Sequence, residues 1–177
     1  MSSLVLYDRE GPEREALFKD TWAEAQALLQ EIESQVSLSD PLSDVSLFNA
    51  LNYGESLAVR SHTAAILSIA REIWEESGGL YDPSVSPLVD LWGFTPRFNT
   101  NIRQAEKPYD RPYVGGKMPL PEAKYLRAFT GLTGFGGIVL EEDEGGARLR
   151  KMIPPVRVDG VSYQAAIDLG GIAKGYA

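Results

Sequence analysis

Cysteine is absent from the 177 residues, and histidine occurs only once, as His62. The lack of cysteine excludes disulfides, thiolate nucleophiles and Cys-ligated zinc or iron–sulfur centres within the chain. A single histidine likewise excludes a His-rich metal site. No apolar run approaches the roughly 20 residues that a membrane-spanning helix needs.

Basic residues are fewer than acidic ones: the chain has 17 Lys and Arg and 25 Asp and Glu, which gives a net charge of -8. Nucleic-acid binding depends on clustered Lys and Arg, so we expect no nucleic-acid partner. An anionic cofactor could still bind through backbone N–H groups, a metal ion or one well-placed lysine. Hydrophobic residues make up 44% of the chain, which is enough for a packed core.

Hydrophobic periodicity predicts helices near residues 18–36 and 61–77 and a third long helix after Pro121. Gly145-Gly146 predicts a hairpin turn. The strands that the pattern predicts cover residues 3–7, 137–143, 147–153 and 162–169. Helices mixed with hairpin-linked strands favour an α+β fold over a doubly wound sheet.

The first helix carries an apolar stripe that we expect to face the core. In the second helix, Ser61 and Thr63 are candidate N-caps and Gly78-Gly79 is a C-terminal stop. Residues 95–121 hold five prolines without periodicity and predict a long loop, of the kind that is functional or mobile. The stripe of the first helix consists of Phe18, Trp22, Ala25, Leu29, Ile32 and Val36.

The segment IDLGGIAKGYA at the C-terminus predicts a strand, a glycine turn and the start of a helix. Glycines allow close approach to the backbone, and free N–H groups at a helix start suit phosphate oxygens. Lys174 adds a positive charge one turn later, and Asp168 could hold a hydroxyl or shape the turn. The alternative is an ordinary strand–turn–helix joint with a solvated lysine. The chain stops as this helix opens, so we expect a C-terminal portion of the domain to be missing.

The segment GGLYDPSVSPLVDLWGF (78–94) predicts a turn and a short helix beside an aromatic corner. Tyr81, Trp92 and Phe94 could stack on a flat ring, and the backbone near Leu80 could hydrogen-bond its edge. Asp82 before a proline is more often a turn former than an acid catalyst, and this stretch could equally be core and turn.

Two other features have a simpler interpretation. SDPLSDVSLFN (39–49) predicts a loop and a short turn capped at Ser43-Asp44. His62 lies in the first turn of its helix, where an exposed or capping role is expected rather than a catalytic one.

These three segments together resemble the ApbE family of FAD:protein FMN transferases. DLGGIAKGYA (168–177) is similar to the family's glycine motif, and residues 78–94 to its Y/F-D-P-T-V segment, with Ser84 where threonine is usual. Residues 39–49 are similar to a third family stretch, with Ser39 at an aromatic position. The resemblance covers the chain in order but only the first half to two-thirds of the family's length. It implies a T-fold-like α+β domain of antiparallel strands and helices, with residues 1–177 as its N-terminal portion.

The resemblance also implies which residues bind what. Leu80, Tyr81 and Asp82 match a stretch that contacts FAD largely through its backbone. Asp168 and Lys174 match further FAD-binding positions. The residue that matches a magnesium ligand, through its backbone carbonyl, is Gly171. The family's other metal ligands and the segment associated with its chemistry lie in a later part that this sequence lacks, so the catalytic residues are unknown here.

The activity that the resemblance implies is Mg²⁺-dependent transfer of FMN from FAD to a Thr or Ser hydroxyl of a target flavoprotein, with release of AMP. The alternatives are a FAD pyrophosphatase that yields FMN and AMP, and a flavin-binding module without catalysis. The resemblance further implies an exported, periplasmic or membrane-associated protein in the bacterial envelope, and it is compatible with a homodimer. No signal peptide is visible, and a cytoplasmic location stays open.

Overall fold

The computed structural model describes residues 12–94, 108–109 and 119–177. The predicted strand at residues 3–7 and most of the proline-rich stretch 95–121 lie outside these ranges. The helices are α1 (Pro12–Val36), α2 (Asp44–Ala50), α3 (Ser61–Glu76), α4 (Ser86–Trp92), α5 (Ala123–Phe129) and α6 (Gly170–Tyr176). The strands are β1 (Ser56–Val59), β2 (Ile138–Asp143), β3 (Gly146–Lys151), β4 (Val156–Val158) and β5 (Val161–Tyr163).

Two antiparallel sheets form the strand layer of the described chain. The larger has the order β1-β3-β2, with Ser56 opposite Arg150 and Ile138 opposite Lys151. The smaller pairs β4 with β5. The mixture of helices and antiparallel strands confirms the predicted α+β class, and the β2–β3 hairpin confirms the predicted turn at Gly145-Gly146.

The core is formed by side chains of α2 to α5, the larger sheet and residues 165–169. Its most buried side chains are aromatic or branched, which suits close packing at a helix–sheet junction. Residues that are at most 1% exposed include Phe48, Ile66, Leu91, Tyr125, Phe129, Leu132, Phe135, Ile138, Leu149 and Ile167.

The predicted first helix is confirmed as α1, but only part of its apolar stripe is buried. Ile32 and Val36 are buried, whereas Leu29 is 36% exposed. Phe18 and Trp22 are half-buried. An amphipathic stripe indicates which face of a helix favours burial. How much of that face is covered depends on the other elements that pack against it.

Three expectations about element ends were wrong. The N-cap of α3 is Arg60, so neither Ser61 nor Thr63 caps it. The third helix, α5, has seven residues rather than a long run, because short 3-10 turns take over at Thr130–Leu132. The predicted strand 162–169 ends at Tyr163, because β5 pairs with β4 over Val161–Tyr163 and no pairing continues beyond it among the described residues. Residues 164–169 therefore reach the glycine turn outside any strand.

Local signals elsewhere were confirmed. The Ser43 hydroxyl accepts a hydrogen bond from the Ser46 N–H at 3.0 Å and caps α2, as the loop sequence predicts. Gly78 and Gly79 follow α3 with φ values of 62° and 83°, a conformation that glycine adopts without a steric penalty.

Candidate functional site

The Asp82 carboxylate organises the turn that follows α3. Its Oδ1 accepts hydrogen bonds from the Ser84 N–H at 2.8 Å and from the Ser84 hydroxyl at 2.5 Å. Its Oδ2 accepts from the N–H groups of Gly134 at 3.1 Å and Phe135 at 3.3 Å. The side chain is thus a turn former, as its place before a proline indicates, and any ligand contact at Asp82 is left to the backbone. Ser84, at the family's threonine position, keeps the hydroxyl that this network uses.

One backbone hydrogen bond joins the two segments that the sequence singles out. The Asp168 N–H donates to the Pro83 carbonyl at 2.9 Å. The Asp168 carboxylate in turn accepts from the Gly170 N–H at 2.8 Å and shapes the glycine turn. The stretch around Asp82 and the stretch around Asp168 are therefore neighbours, although 86 positions separate the two residues in the sequence.

Tyr81 lies at this junction and is half-buried. Its hydroxyl oxygen is buried and has no hydrogen-bond partner among the described residues. Burial, followed by the carboxylates of Asp168 and Asp82, raises the pKa of Tyr81 above its ordinary value of 10.0. The phenol therefore keeps its proton at physiological pH, and its O–H is a hydrogen-bond donor without an acceptor among the described residues.

The glycine turn is open to solvent. Gly170 and Gly171 are exposed, and α6 begins at Gly170, so the glycine pair forms the first residues of the helix. A Cβ atom at Gly171 would meet no other atom within 4 Å. Lys174 is exposed one turn later and forms no ion pair within the described part of the chain. A ligand can approach this backbone without displacing a side chain.

Exposed apolar groups belong to the same segment as Tyr81. Leu80 is 92% exposed, Phe94 is 78% exposed and Trp92 is 37% exposed. Large apolar side chains in such positions are available for contact with a flat ring or with another protein surface. Two rings of the predicted aromatic corner, Trp92 and Phe94, are therefore exposed, whereas Tyr81 is half-buried and packs against the core.

Two cavities of the described part of the chain lie away from Tyr81 and Lys174. One, of about 620 Å³, lies between α3 and β2, beside Arg71 and Phe135. The other, of about 210 Å³, lies between Asn49 and Gln164. Because Gly170, Gly171 and Lys174 are exposed, the glycine turn is a surface feature, and a ligand there would need additional walls to be enclosed.

Over the same described ranges, no three His, Cys, Asp or Glu side chains gather where they could hold a metal ion. None of the helices there combines the length and the apolar character that crossing a membrane requires.

Sequence reasoning missed two sets of contacts that hold the glycine turn. His62 is not a cap: its Nδ1 lies 2.9 Å from the Tyr176 hydroxyl and its Nε2 lies 3.6 Å from Glu31. These contacts tie α6 to α3 and α1. In the second set, the Asn49 side chain bonds both backbone groups of Ile167, and Lys151 donates to the carbonyls of Asn49 and Leu51. Both depend on residues far apart in the sequence, so no local signal could have found them.

Known proteins with related sequences are flavin transferases. The model of the ApbE family matches residues 3–177. A FAD:protein FMN transferase of Vibrio cholerae is 28% identical over 158 residues, which are 89% of this chain and 38% of the relative. One of Haemophilus influenzae is 28% identical over 162 residues, or 91% of this chain and 39% of the relative. The chain thus spans about two fifths of the length of these relatives.

Solved structures agree with the sequence matches. The apo form of the Pseudomonas stutzeri flavinyl transferase ApbE has a TM-score of 0.67 at 25% identity, covering 96% of this chain and 44% of that one. The flavin transferase ApbE from Vibrio cholerae has a TM-score of 0.67 at 30% identity, covering 89% of this chain and 41% of that one. The predicted resemblance and the fold are confirmed, and the chain belongs to the ApbE family.

Proposed function

We propose that this chain provides the flavin-binding part of a Mg²⁺-dependent FAD:protein FMN transferase. The observation that carries the proposal is the hydrogen bond from the Asp168 N–H to the Pro83 carbonyl. It joins the segment before the open glycine turn to the segment of Tyr81, whose buried hydroxyl has no partner among the described residues. The relatives from Vibrio cholerae and Haemophilus influenzae are FAD:protein FMN transferases, which supports the same activity for the whole protein.

The proposed reaction breaks the phosphoanhydride bond of FAD and forms a phosphoester bond to the target protein. The hydroxyl oxygen of a Thr or Ser on a target flavoprotein attacks the FMN phosphorus of the FAD pyrophosphate. The bond from that phosphorus to the bridging oxygen breaks, and AMP leaves with the bridging oxygen. The hydroxyl proton passes to a base, which the attack needs because an alcohol is a weak nucleophile at neutral pH. We assign that base to no residue of this chain.

The contribution of the chain is to bind and orient FAD, because phosphoryl transfer depends mainly on positioning and charge stabilisation. We propose that Leu80 and Asp82 contact FAD through their backbone, since the Asp82 carboxylate is already engaged within the fold. Tyr81 donates its O–H to the ligand, and Asp168 holds the turn in shape while facing the ligand. Lys174 supplies a positive charge for the phosphates.

A magnesium ion would serve this reaction by neutralising pyrophosphate charge. The donors available at the turn are oxygens, which suits a hard cation. We propose that Gly171 contributes its carbonyl, as the family resemblance implies. A complete coordination sphere needs further oxygens, because the described residues contain no cluster of metal-binding side chains. FAD phosphates and water are ligands that Mg²⁺ readily accepts.

In the decisive experiment, the protein encoded by the longest reading frame that contains this chain is incubated with FAD, Mg²⁺ and a candidate target flavoprotein. Flavin fluorescence on the denatured target, together with release of one AMP per flavin, would support the transferase. Free FMN and AMP without a labelled target would instead identify a FAD pyrophosphatase. FAD binding without turnover would identify a flavin-binding module.

Two variants test the residues. Lys174→Ala should weaken FAD binding with little change in Tm, whereas Lys19→Ala, at an exposed lysine on α1, should leave binding unchanged.

Gly171→Val should abolish binding and turnover because its side chain occupies the open face of the turn. Gly175→Val is the matched control, since it also lies in α6 and a Cβ atom there would meet no other atom within 4 Å. Equal effects of the two valine variants would refute the proposed turn.

Two further expectations depend on the family resemblance alone, namely location in the bacterial envelope and assembly as a homodimer. Cell fractionation of the native protein tests the first, and light scattering of the purified protein tests the second. Neither result bears on the proposed chemistry.

A further inference from the structure

Lys151 is a fully buried lysine in β3, where its strand partner is Ile138. Its Nζ donates hydrogen bonds to the carbonyl oxygens of Leu51 at 2.8 Å and Asn49 at 3.2 Å. The same nitrogen lies 4.9 Å from the centre of the Phe48 ring. Carbonyls at the C-terminal end of a helix lack intrahelical donors and carry partial negative charge, so the ammonium group is matched to the end of α2.

The side chain of Asn49 extends from this helix end to the glycine-turn segment. Its Nδ2 donates to the Ile167 carbonyl at 3.0 Å, and its Oδ1 accepts from the Ile167 N–H at 2.8 Å. Both polar groups of one backbone residue are thereby satisfied, as a neighbouring strand would satisfy them. This matters because residues 164–169 belong to no strand.

The backbone around Asp168 is thus fixed from two sides. Asn49 holds Ile167 on one side, and the Pro83 carbonyl holds the Asp168 N–H on the other. Removing either contact would free a segment that no sheet of the described residues restrains. The orientation of Asn49 depends in turn on where the end of α2 is held, and Lys151 holds it.

We propose that Lys151 is a positioning residue for the flavin site: by binding the carbonyls of Asn49 and Leu51, it fixes the Asn49 amide that holds Ile167 next to Asp168. The inference rests on the proposed function, since it assigns a purpose to a link that ends at the proposed FAD-binding residues. It concerns a residue that does not touch the ligand.

The chemical character of Lys151 supports a specific role over simple packing. Burial lowers the pKa of Lys151 from 10.5 to about 8, with Glu55 partly opposing the shift. A buried amine therefore costs stability, and an apolar residue of similar length would fill the same space without that cost. Methionine at this position would keep the volume and lose the two contacts to the end of α2.

The test compares Lys151→Met with Ile138→Val, a core substitution on the neighbouring strand that leaves Asn49 untouched. Amide hydrogen exchange by NMR is the first measurement. Lys151→Met should lower the protection of the Ile167 N–H by about tenfold or more, while amides of the β2–β3 ladder keep theirs. Ile138→Val should leave the ratio of Ile167 protection to ladder protection unchanged.

The second measurement is the affinity for FAD, determined with the same protein that is used in the transferase assay. Lys151→Met should raise the Kd for FAD about tenfold or more, because a loosened Asp168 segment no longer presents the site. Ile138→Val should bind FAD as the unsubstituted protein does. A folded Lys151→Met variant with normal Ile167 protection, or with normal FAD affinity, overturns the proposal.

Two further outcomes remain decisive. If Lys151→Met does not fold, hydrogen exchange of the unsubstituted protein is measured at increasing urea concentrations instead. The free energies of opening obtained from the Ile167 amide proton and from the Lys151 ammonium protons should be equal. Different free energies at the two sites overturn the link. If the unsubstituted protein binds no FAD, the proposed function fails by itself. The exchange result then still reports whether Lys151 restrains Ile167, so the two failures are distinguishable.

Discussion

Asp82→Asn provides a demanding test of how the Tyr-Asp-Pro turn is held. The carboxylate accepts from Ser84 at Oδ1 and from Gly134 and Phe135 at Oδ2. Asparagine keeps the shape of the side chain but replaces one oxygen with an NH₂ group, which cannot accept a hydrogen bond. Whichever way the amide turns, it presents a donor to at least one backbone N–H.

The expected cost follows from these contacts. A hydrogen bond to a charged acceptor contributes about 1.5–3 kcal/mol, and a donor left unsatisfied in a buried site costs about 1–3 kcal/mol. The better orientation of the substituted amide keeps the bonds from Gly134 and Phe135, at reduced strength, and loses the bond from the Ser84 N–H. We therefore expect the free energy of unfolding to fall by about 2–4 kcal/mol.

Urea unfolding followed by circular dichroism measures this loss. With a slope of about 2 kcal/mol/M, the midpoint should fall by roughly 1–2 M. Asp143→Asn is the matched control, because Asp143 accepts from the Gly145 N–H at 2.7 Å in an exposed hairpin turn, where an amide oxygen can keep the bond. That variant should lie within about 0.5 kcal/mol of the unsubstituted chain. Equal midpoints for the two variants would show that the Asp82 network does not stabilise the turn.

Three other substitutions probe separate features. Because the folded chain releases the Lys151 proton near pH 8 and the unfolded chain near 10.5, stability should rise with pH across that interval; relative to the unsubstituted protein, Lys151→Met should lack this rise in urea midpoints. Gly137→Ala should lower stability by about 1–3 kcal/mol, since its Cβ would lie 2.6 Å from Cγ1 of Ile153, and an unchanged Tm would contradict that clash. Tyr176→Phe removes the hydroxyl 2.9 Å from His62 and should cost about 1 kcal/mol, which a thermal scan without a shift would disprove.

Features set by neighbouring residues could be predicted from the sequence. The Ser43 cap, the glycine stop after α3 and the β2–β3 hairpin each depend on a few adjacent positions, and all three are present. The short strands β1 and β4 were missed because they have four and three residues, too few to show a period. Their pairing energy comes from partners far along the chain, which periodicity does not report.

The extent of burial also lay beyond the sequence pattern. The stripe on α1 was identified, but Ile32 is buried while Leu29 on the same stripe is 36% exposed. The end of α5 was misjudged for a related reason. Local pattern favoured a longer helix, whereas the hydrogen bonds from Gly134 and Phe135 to Asp82 hold the following residues in short turns. Tertiary contacts of this kind override weak helix propensities.

The sequence by itself determined the family, the α+β class and the identity of the segments around Asp82 and Asp168, because those properties reside in residue types and short spacings. Only the tertiary structure decided how these segments meet. The Asn49–Ile167 contact spans 118 positions and the Lys151–Leu51 contact spans 100. Hydrogen bonds act over about 3 Å in space whatever the separation in sequence, so such links exist only once the chain has folded.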